Sequence, residues 1–284
     1  MRTAETMMET ILRFAREDAR VRIVGMEGSR VNTNAPRDRF QDFDITFFVE
    51  EIAAFTGDDA WLAAFGNPIL LQKPEDMELF EAVEEGYSYL ILFDDYNKLD
   101  LTLLEMRHLP GYLRADRLRV VLLDKDAAVG RLSAPTDADY QVRRPSPRSF
   151  DDCCNEFWFL TVYVVKGLCR GEILYAADHL QLLRDELLRM LSWRAGFEHG
   201  FCFSAGKRYK YLERYIPEAV WKRLLATYRT DTYAHGWEAL FACHALFREA
   251  AAACAEALGC AYPPYDQNVS AFAAACYAEY GSRF

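Results

Sequence analysis

Asp42 and Asp44 stand on either side of Phe43 at the start of an apolar run, Ile45-Thr46-Phe47-Phe48-Val49. Asp is disfavoured in strands, and here two recur at a spacing of two. Strand side chains alternate between faces, so both carboxylates point one way while Phe43 and Ile45 point into a core. One face of this strand must therefore be packed and the other left open to a charged group. Two like charges on one face repel, and a divalent cation relieves the repulsion. The alternative is a pair of solvated carboxylates at a strand entrance. Upstream, a second apolar run (Val21, Ile23, Val24) ends at Gly28-Ser29. A glycine lets the backbone approach a phosphate closely, and the serine adds a hydroxyl donor to the turn's N–H groups. Arg30 adds positive charge, unless it is an ordinary surface arginine. Together these residues read as a nucleotide–metal site, with Gly28, Ser29 and Arg30 on the phosphates and Asp42 and Asp44 on the metal.

A third carboxylate fits the same site. Asp100 is isolated in Leu99-Asp100-Leu101-Thr102-Leu103-Leu104. Alternation puts Asp100 and Thr102 on one face and Leu99, Leu101 and Leu103 on the other. A buried, unpaired carboxylate is costly, so this Asp needs a partner or a role unless the strand lies at an edge with one wet face. If the strand lies beside residues 43–49, Asp100 completes a cluster of three. It then serves as a metal ligand or as the general base, and spacing does not choose between them.

The rest of the composition narrows the class. Acidic residues outnumber basic ones 43 to 33, a formal net charge of -10. That balance repels nucleic-acid phosphates and suits a cationic partner, although acidity also serves solubility. The eight cysteines include no C-x-x-C pair, and adjacent Cys153 and Cys154 are too close for an unstrained bridge. They read as reduced, mostly buried thiols of a cytoplasmic protein, with no zinc site. The N-terminal residues lack the apolar core of a signal peptide, and no apolar run is long enough to span a membrane.

Hydrophobic periodicity divides the chain into two textures. An amphipathic helix over residues 4–18 precedes strands at 21–26, 43–49, 87–93, 98–104 and 119–123. Asp58 or Asp59 caps a short helix over Trp61, Leu62 and Phe65, and Asp94-Asp95-Tyr96-Asn97 has the composition of a hairpin turn. Pro135, Pro145 and Pro147 mark a linker, and beyond it helices are predicted over 148–169, 172–195, 217–228, 235–257 and 268–280. The expected fold is α+β: a first domain over 1–140 with a mixed sheet and helices, then an all-helical domain over 141–284.

Within the helical half, Lys166 and Arg170 stand four apart, on one helix face. They are candidates to grip a triphosphate, against the commoner solvated basic face. Asp178, Asp185 and Glu186 with Trp193, and Glu156 with Trp158, are candidates for a cationic substrate, against ordinary helix surface. His179 and His244 receive no role.

With these residues in place the sequence closely resembles the aminoglycoside 6-adenylyltransferases, or streptomycin adenylyltransferases, of the DNA polymerase β-like nucleotidyltransferase superfamily. The likeness runs over nearly the whole chain. Glu27-Gly28-Ser29-Arg30 and Gln41-Asp42-Phe43-Asp44-Ile45 mark only the superfamily. Further marks are residues 72–80 (Gln-Lys-Pro-Glu-Asp-Met-Glu-Leu-Phe), residues 92–104 around Asp100, Tyr140 through Pro145, and Lys166-Gly167-Leu168-Cys169-Arg170. The stretch 151–158, Asp-Asp-Cys-Cys-Asn-Glu-Phe-Trp, is far more specific. Position 43 is Phe where the family often has Tyr. The resemblance implies ATP as co-substrate, Mg2+ as cofactor, and a streptomycin-like acceptor whose streptidine ring carries two guanidinium groups. It implies transfer of AMP to a streptidine hydroxyl with release of pyrophosphate, hence antibiotic resistance. Two other classes are weighed against it. One is a nucleotidyltransferase acting on a protein or RNA; the other is a non-catalytic nucleotide-binding module, which has no need of Asp100.

Overall fold

The computed structural model describes residues 2–79 and 85–284, so Phe80, the last residue of the 72–80 motif, lies outside the described residues. The chain divides into two compact units, Met1–Asp139 and Tyr140–Phe284.

The first unit is built on a six-stranded sheet. Its strands are β1 (Val21–Glu27), β2 (Phe43–Val49), β3 (Pro68–Gln72), β4 (Tyr87–Phe93), β5 (Lys98–Glu105) and β6 (Arg119–Asp124), in the order β3-β4-β5-β2-β1-β6. Only β2 and β5 pair in parallel; every other neighbour is antiparallel, giving a mixed sheet. Helix α1 (Ala4–Glu17) is capped by Thr3, whose side chain accepts from the Thr6 N–H. It buries Met7, Ile11 and Ala15, one turn apart, in the core beneath the sheet with Phe43, Ile45, Phe47, Leu99, Leu101 and Leu103. Burial along β5 alternates as expected. Along β2 it does not: Thr46 and Phe48, on the opposite face, are also buried. The reason is a second, smaller cluster in which Phe48 and Ile23 pack against Leu109 of α3 (Leu109–Ala115). The face that carries the carboxylates is therefore covered at one end and open at the other.

Strand β3 and helix α3 were not foreseen. Residues 68–70 of β3 are exposed, and the strand lies at the sheet edge, so its short apolar run carries no alternation to detect. Asp58 does cap the turn that follows it, accepting from the Ala60 N–H. Asp94–Asn97 form the β4–β5 turn: Tyr96 takes a positive φ of 64° and Asp95 accepts from the Asn97 N–H.

The second unit is helical: α4 (Pro147–Arg170), α5 (Ile173–His199), α6 (Glu218–Ala226), α7 (Tyr233–Leu258) and α8 (Tyr265–Tyr280), after the four-residue α2 (Ala53–Thr56) of the first unit. Pro147 belongs to α4 rather than to a linker. Proline's missing N–H costs nothing at a first helical position, and Ser146 and Ser149 form a reciprocal cap around it. The core of this unit stacks Phe157 on Phe247, with Trp158, Leu187, Leu191, Trp237 and Leu240 around them. All eight cysteines are unbridged: four are buried, three half-buried, and Cys202 is exposed.

Candidate active site

The parallel pairing of β2 with β5 builds the site. In register, Asp44 faces Asp100 directly, one step beyond Phe43 facing Leu99. Partners across neighbouring strands lie about 5 Å apart and share a face, so the two carboxylates stand side by side above the core. Asp42 lies just before β2 and reaches the same group through Lys98. The Lys98 ammonium donates to Asp42 Oδ2 at 2.9 Å and to Asp100 Oδ2 at 2.6 Å.

The glycine turn closes the other side. Gly28–Arg30 form a single 3-10 turn directly after β1, with Gly28 at φ +73°. A Cβ there would collide with the Asp44 carboxylate. Gly28 thus meets two demands at once, a left-handed backbone and contact between main chain and carboxylate. Arg30 has a bracing part that the sequence did not show. Its guanidinium lies 3.6 Å from the Phe43 ring centre and donates to the carbonyls of Asp42 at 2.9 Å and Gln41 at 2.6 Å. Gln41 in turn donates to the Ser29 carbonyl at 3.0 Å. Two of Arg30's donors are thereby committed to bracing the Asp42 loop against the turn. Burial lowers its pKa, against the pull of Asp42 and Asp44.

Electrostatics mark Asp44 as the strained member. Burial, then the charges of Asp100 and Asp42, push its carboxyl up to about 6, while Lys98 pulls the other way. Lys98 is itself partly desolvated, but its hydrogen bonds to Asp100 and Asp42 outweigh this and raise its pKa. Asp100 Oδ1 is buried with no hydrogen-bond partner among the described residues. As the side chains stand, no three ligating groups among the described residues gather closely enough to hold a metal, and Lys98 stands between Asp42 and Asp100. The donor set nonetheless fits a hard divalent cation: three carboxylates, one with an orphaned buried oxygen and one whose charge is penalised.

Two neighbours of this group, Lys98 and Glu27, stand in the quoted motifs but received no role from the sequence. Lys98 was legible, because it stands two residues from Asp100 on the same strand face. Glu27 was not, because only the β1–β2 pairing brings its charge to bear on Asp44. It accepts from the Thr46 hydroxyl at 3.3 Å and lies opposite Arg119 of β6.

The helical unit gives its predicted residues mixed settings. Lys166 and Arg170 are exposed one turn apart on α4, and Glu156 and Asp178 are exposed on α4 and α5. Glu186 is engaged by Arg189 at 3.0 Å. Trp158 is a correction: only 1% exposed, it packs edge-on to Phe157 and donates from its indole to Tyr262 at 3.0 Å, so it offers no face to a substrate. Trp193 is likewise a core residue.

Comparison with known proteins places the chain. The model of the streptomycin adenylyltransferase family matches residues 1–276. An aminoglycoside 6-adenylyltransferase of Campylobacter jejuni is 52% identical over 99% of this chain and 98% of its own. One from Bacillus subtilis is 46% identical over 98% and 99%. A crystal structure of a Bacillus subtilis aminoglycoside 6-adenyltransferase shares 43% identity over 98% of this chain and 99% of that one, with a TM-score of 0.49.

Proposed function

The chain belongs to the streptomycin adenylyltransferase family and is an aminoglycoside nucleotidyltransferase, and from that premise we propose that it transfers AMP from MgATP to a hydroxyl of the streptidine ring of streptomycin, releasing pyrophosphate. The observation that carries the reading is the parallel register that sets Asp44 against Asp100, with Asp42 tied to them through Lys98.

The roles follow from the geometry. Asp42, Asp44 and Asp100 would hold magnesium, which when bound neutralises the triphosphate and makes the α-phosphorus a better electrophile. The turn amides after Gly28 and the Ser29 hydroxyl bind phosphate oxygens. Arg30 keeps the Asp42 loop in place. Asp100 accepts the proton as the acceptor oxygen bonds to the α-phosphorus, and the bond to the bridging oxygen breaks with its electron pair leaving on pyrophosphate. The helical unit supplies acceptor recognition, with Glu156, Asp178 and Glu186 as carboxylates for guanidinium groups. Lys166 and Arg170 are its candidates for the outer phosphates. The eight unbridged thiols suit a reducing cytoplasm.

Pyrophosphate release with ATP and Mg2+ in the presence of streptomycin, spectinomycin or kanamycin tests the reading. Release with streptomycin alone is expected; release with none of them, or with kanamycin alone, overturns it. In the same assay Asp100→Asn is expected to lose most turnover and to bind MgATP more weakly, since it removes a metal ligand and the proton acceptor together. Unchanged MgATP affinity would leave Asp100 as base alone and take it out of the metal set.

A further inference from the structure

Lys98 is the one cation in direct contact with two of the site's carboxylates among the described residues. It shares a strand face with Asp100, two residues away, and its ammonium lies between that carboxylate and Asp42, at 2.6 Å and 2.9 Å. Its side chain is 39% exposed, so it is not locked in place by packing and has room to swing outward. One oxygen of Asp42 and one of Asp100 are thus occupied by an ammonium, while the other Asp100 oxygen, Oδ1, has no hydrogen-bond partner among the described residues.

We propose that Lys98 is an exchangeable counter-cation: it holds Asp42 and Asp100 together in the metal-free protein and yields them to a divalent ion. This rests on the metal-dependent transfer proposed above. Two physical points support it. A lysine ammonium is a compact point charge on a flexible stem, well suited to letting go, whereas an arginine in the same place would grip bidentately. A single positive charge also cannot satisfy three carboxylates, so a doubly charged ion has an electrostatic advantage over it. Lys98 is a positioning residue here. It keeps the strand ends from splaying under like-charge repulsion, and it sets how much a metal gains by entering.

The test is metal binding without nucleotide, so that activity is not the readout. Mn2+ is titrated into wild type, Lys98→Met and Lys98→Arg, and free Mn2+ is followed by electron paramagnetic resonance. Removing the competing charge is expected to tighten Mn2+ binding by about tenfold in Lys98→Met. Lys98→Arg keeps the charge and is expected to bind no more tightly than wild type. Thermal unfolding gives a second measurement. In EDTA, Lys98→Met is expected to melt below wild type, and Mn2+ is expected to close the gap. Unchanged or weaker Mn2+ binding by Lys98→Met, or a melting deficit that Mn2+ leaves in place, overturns the proposal. If neither wild type nor Lys98→Met binds Mn2+ at all, the metal-dependent reading fails with it; equal binding by both defeats the Lys98 proposal alone.

Discussion

Gly28 is where the smallest chemical change meets the most resistance. Its φ is +73° and a methyl group would strike the Asp44 carboxylate, so Gly28→Ala sets backbone strain and a steric clash on one atom. We expect near-complete loss of adenylyl transfer and a stability loss of about 1 kcal/mol or more, read from turnover and urea unfolding. Retention of half the wild-type turnover would detach the turn from the site. Asp44 behaves in the opposite way. Because its charge is disfavoured where it sits, Asp44→Asn is expected to abolish transfer while leaving the metal-free protein folded and no less stable. Loss of the fold, seen by circular dichroism, would make Asp44 structural instead. Arg30 shows the limit of reading one residue at a time. A basic residue after a Gly-Ser turn looks like a phosphate ligand, yet its donors brace the loop that carries Asp42.

At the scale of elements, β2 and β5 form the site because they pair in parallel and in register. A shift of one residue in either strand would send its aspartate to the core face and its core residues, Phe43 and Phe47 in β2 or Leu99, Leu101 and Leu103 in β5, to the open one. The alternation of Asp with Phe and Leu therefore specifies the pairing as well as the chemistry. In the helical unit, His244 of α7 does comparable work for packing. It shares a 3.0 Å hydrogen bond with Thr161 of α4 and lies against the Trp158 ring. Burial, aided by the charge of Arg248, pushes its imidazole pKa down to about 3. The unfolded chain binds this proton below about pH 6.5 and the native protein does not. The stability that His244 contributes by staying neutral is therefore fully present above pH 6.5 and is lost as the pH falls toward 3. His244→Gln cannot take the charge, so its melting temperature is expected to fall less between pH 6.5 and 4.5. The difference in slope is up to about 1.4 kcal/mol per pH unit. Parallel slopes for the two proteins would show that His244 does not govern the acid response.

For the whole molecule, each unit has its own hydrophobic core. Residues 140–284 alone are accordingly expected to melt cooperatively with high helix content, as a domain with an independent core does. A non-cooperative melt would show that this core does not suffice. The same fragment is expected to lack transfer, since Asp42, Asp44 and Asp100 all belong to the first unit. No described helix is long and apolar enough to cross a membrane.

Periodicity and spacing alone were enough to mark the carboxylates, the turn, five of the strands and the five helices of the second half. These are local patterns: alternation at two, helical stripes, glycine and proline punctuation. Local pattern also separated Asp42 and Asp44 from Phe43. It could not place β3, whose exposed edge carries no alternation, nor see Glu27 beside Asp44, which depends on how β1 meets β2. Nor could it tell Trp158 from a surface aromatic, since a tryptophan next to a glutamate on a helix reads alike inside and out until the neighbouring helices are packed. What tertiary structure alone decided was company: which charge stands opposite which, and which ring is covered. The parallel register of β2 and β5 set Asp44 beside Asp100, because only strand pairing makes neighbours of residues so far apart in the chain.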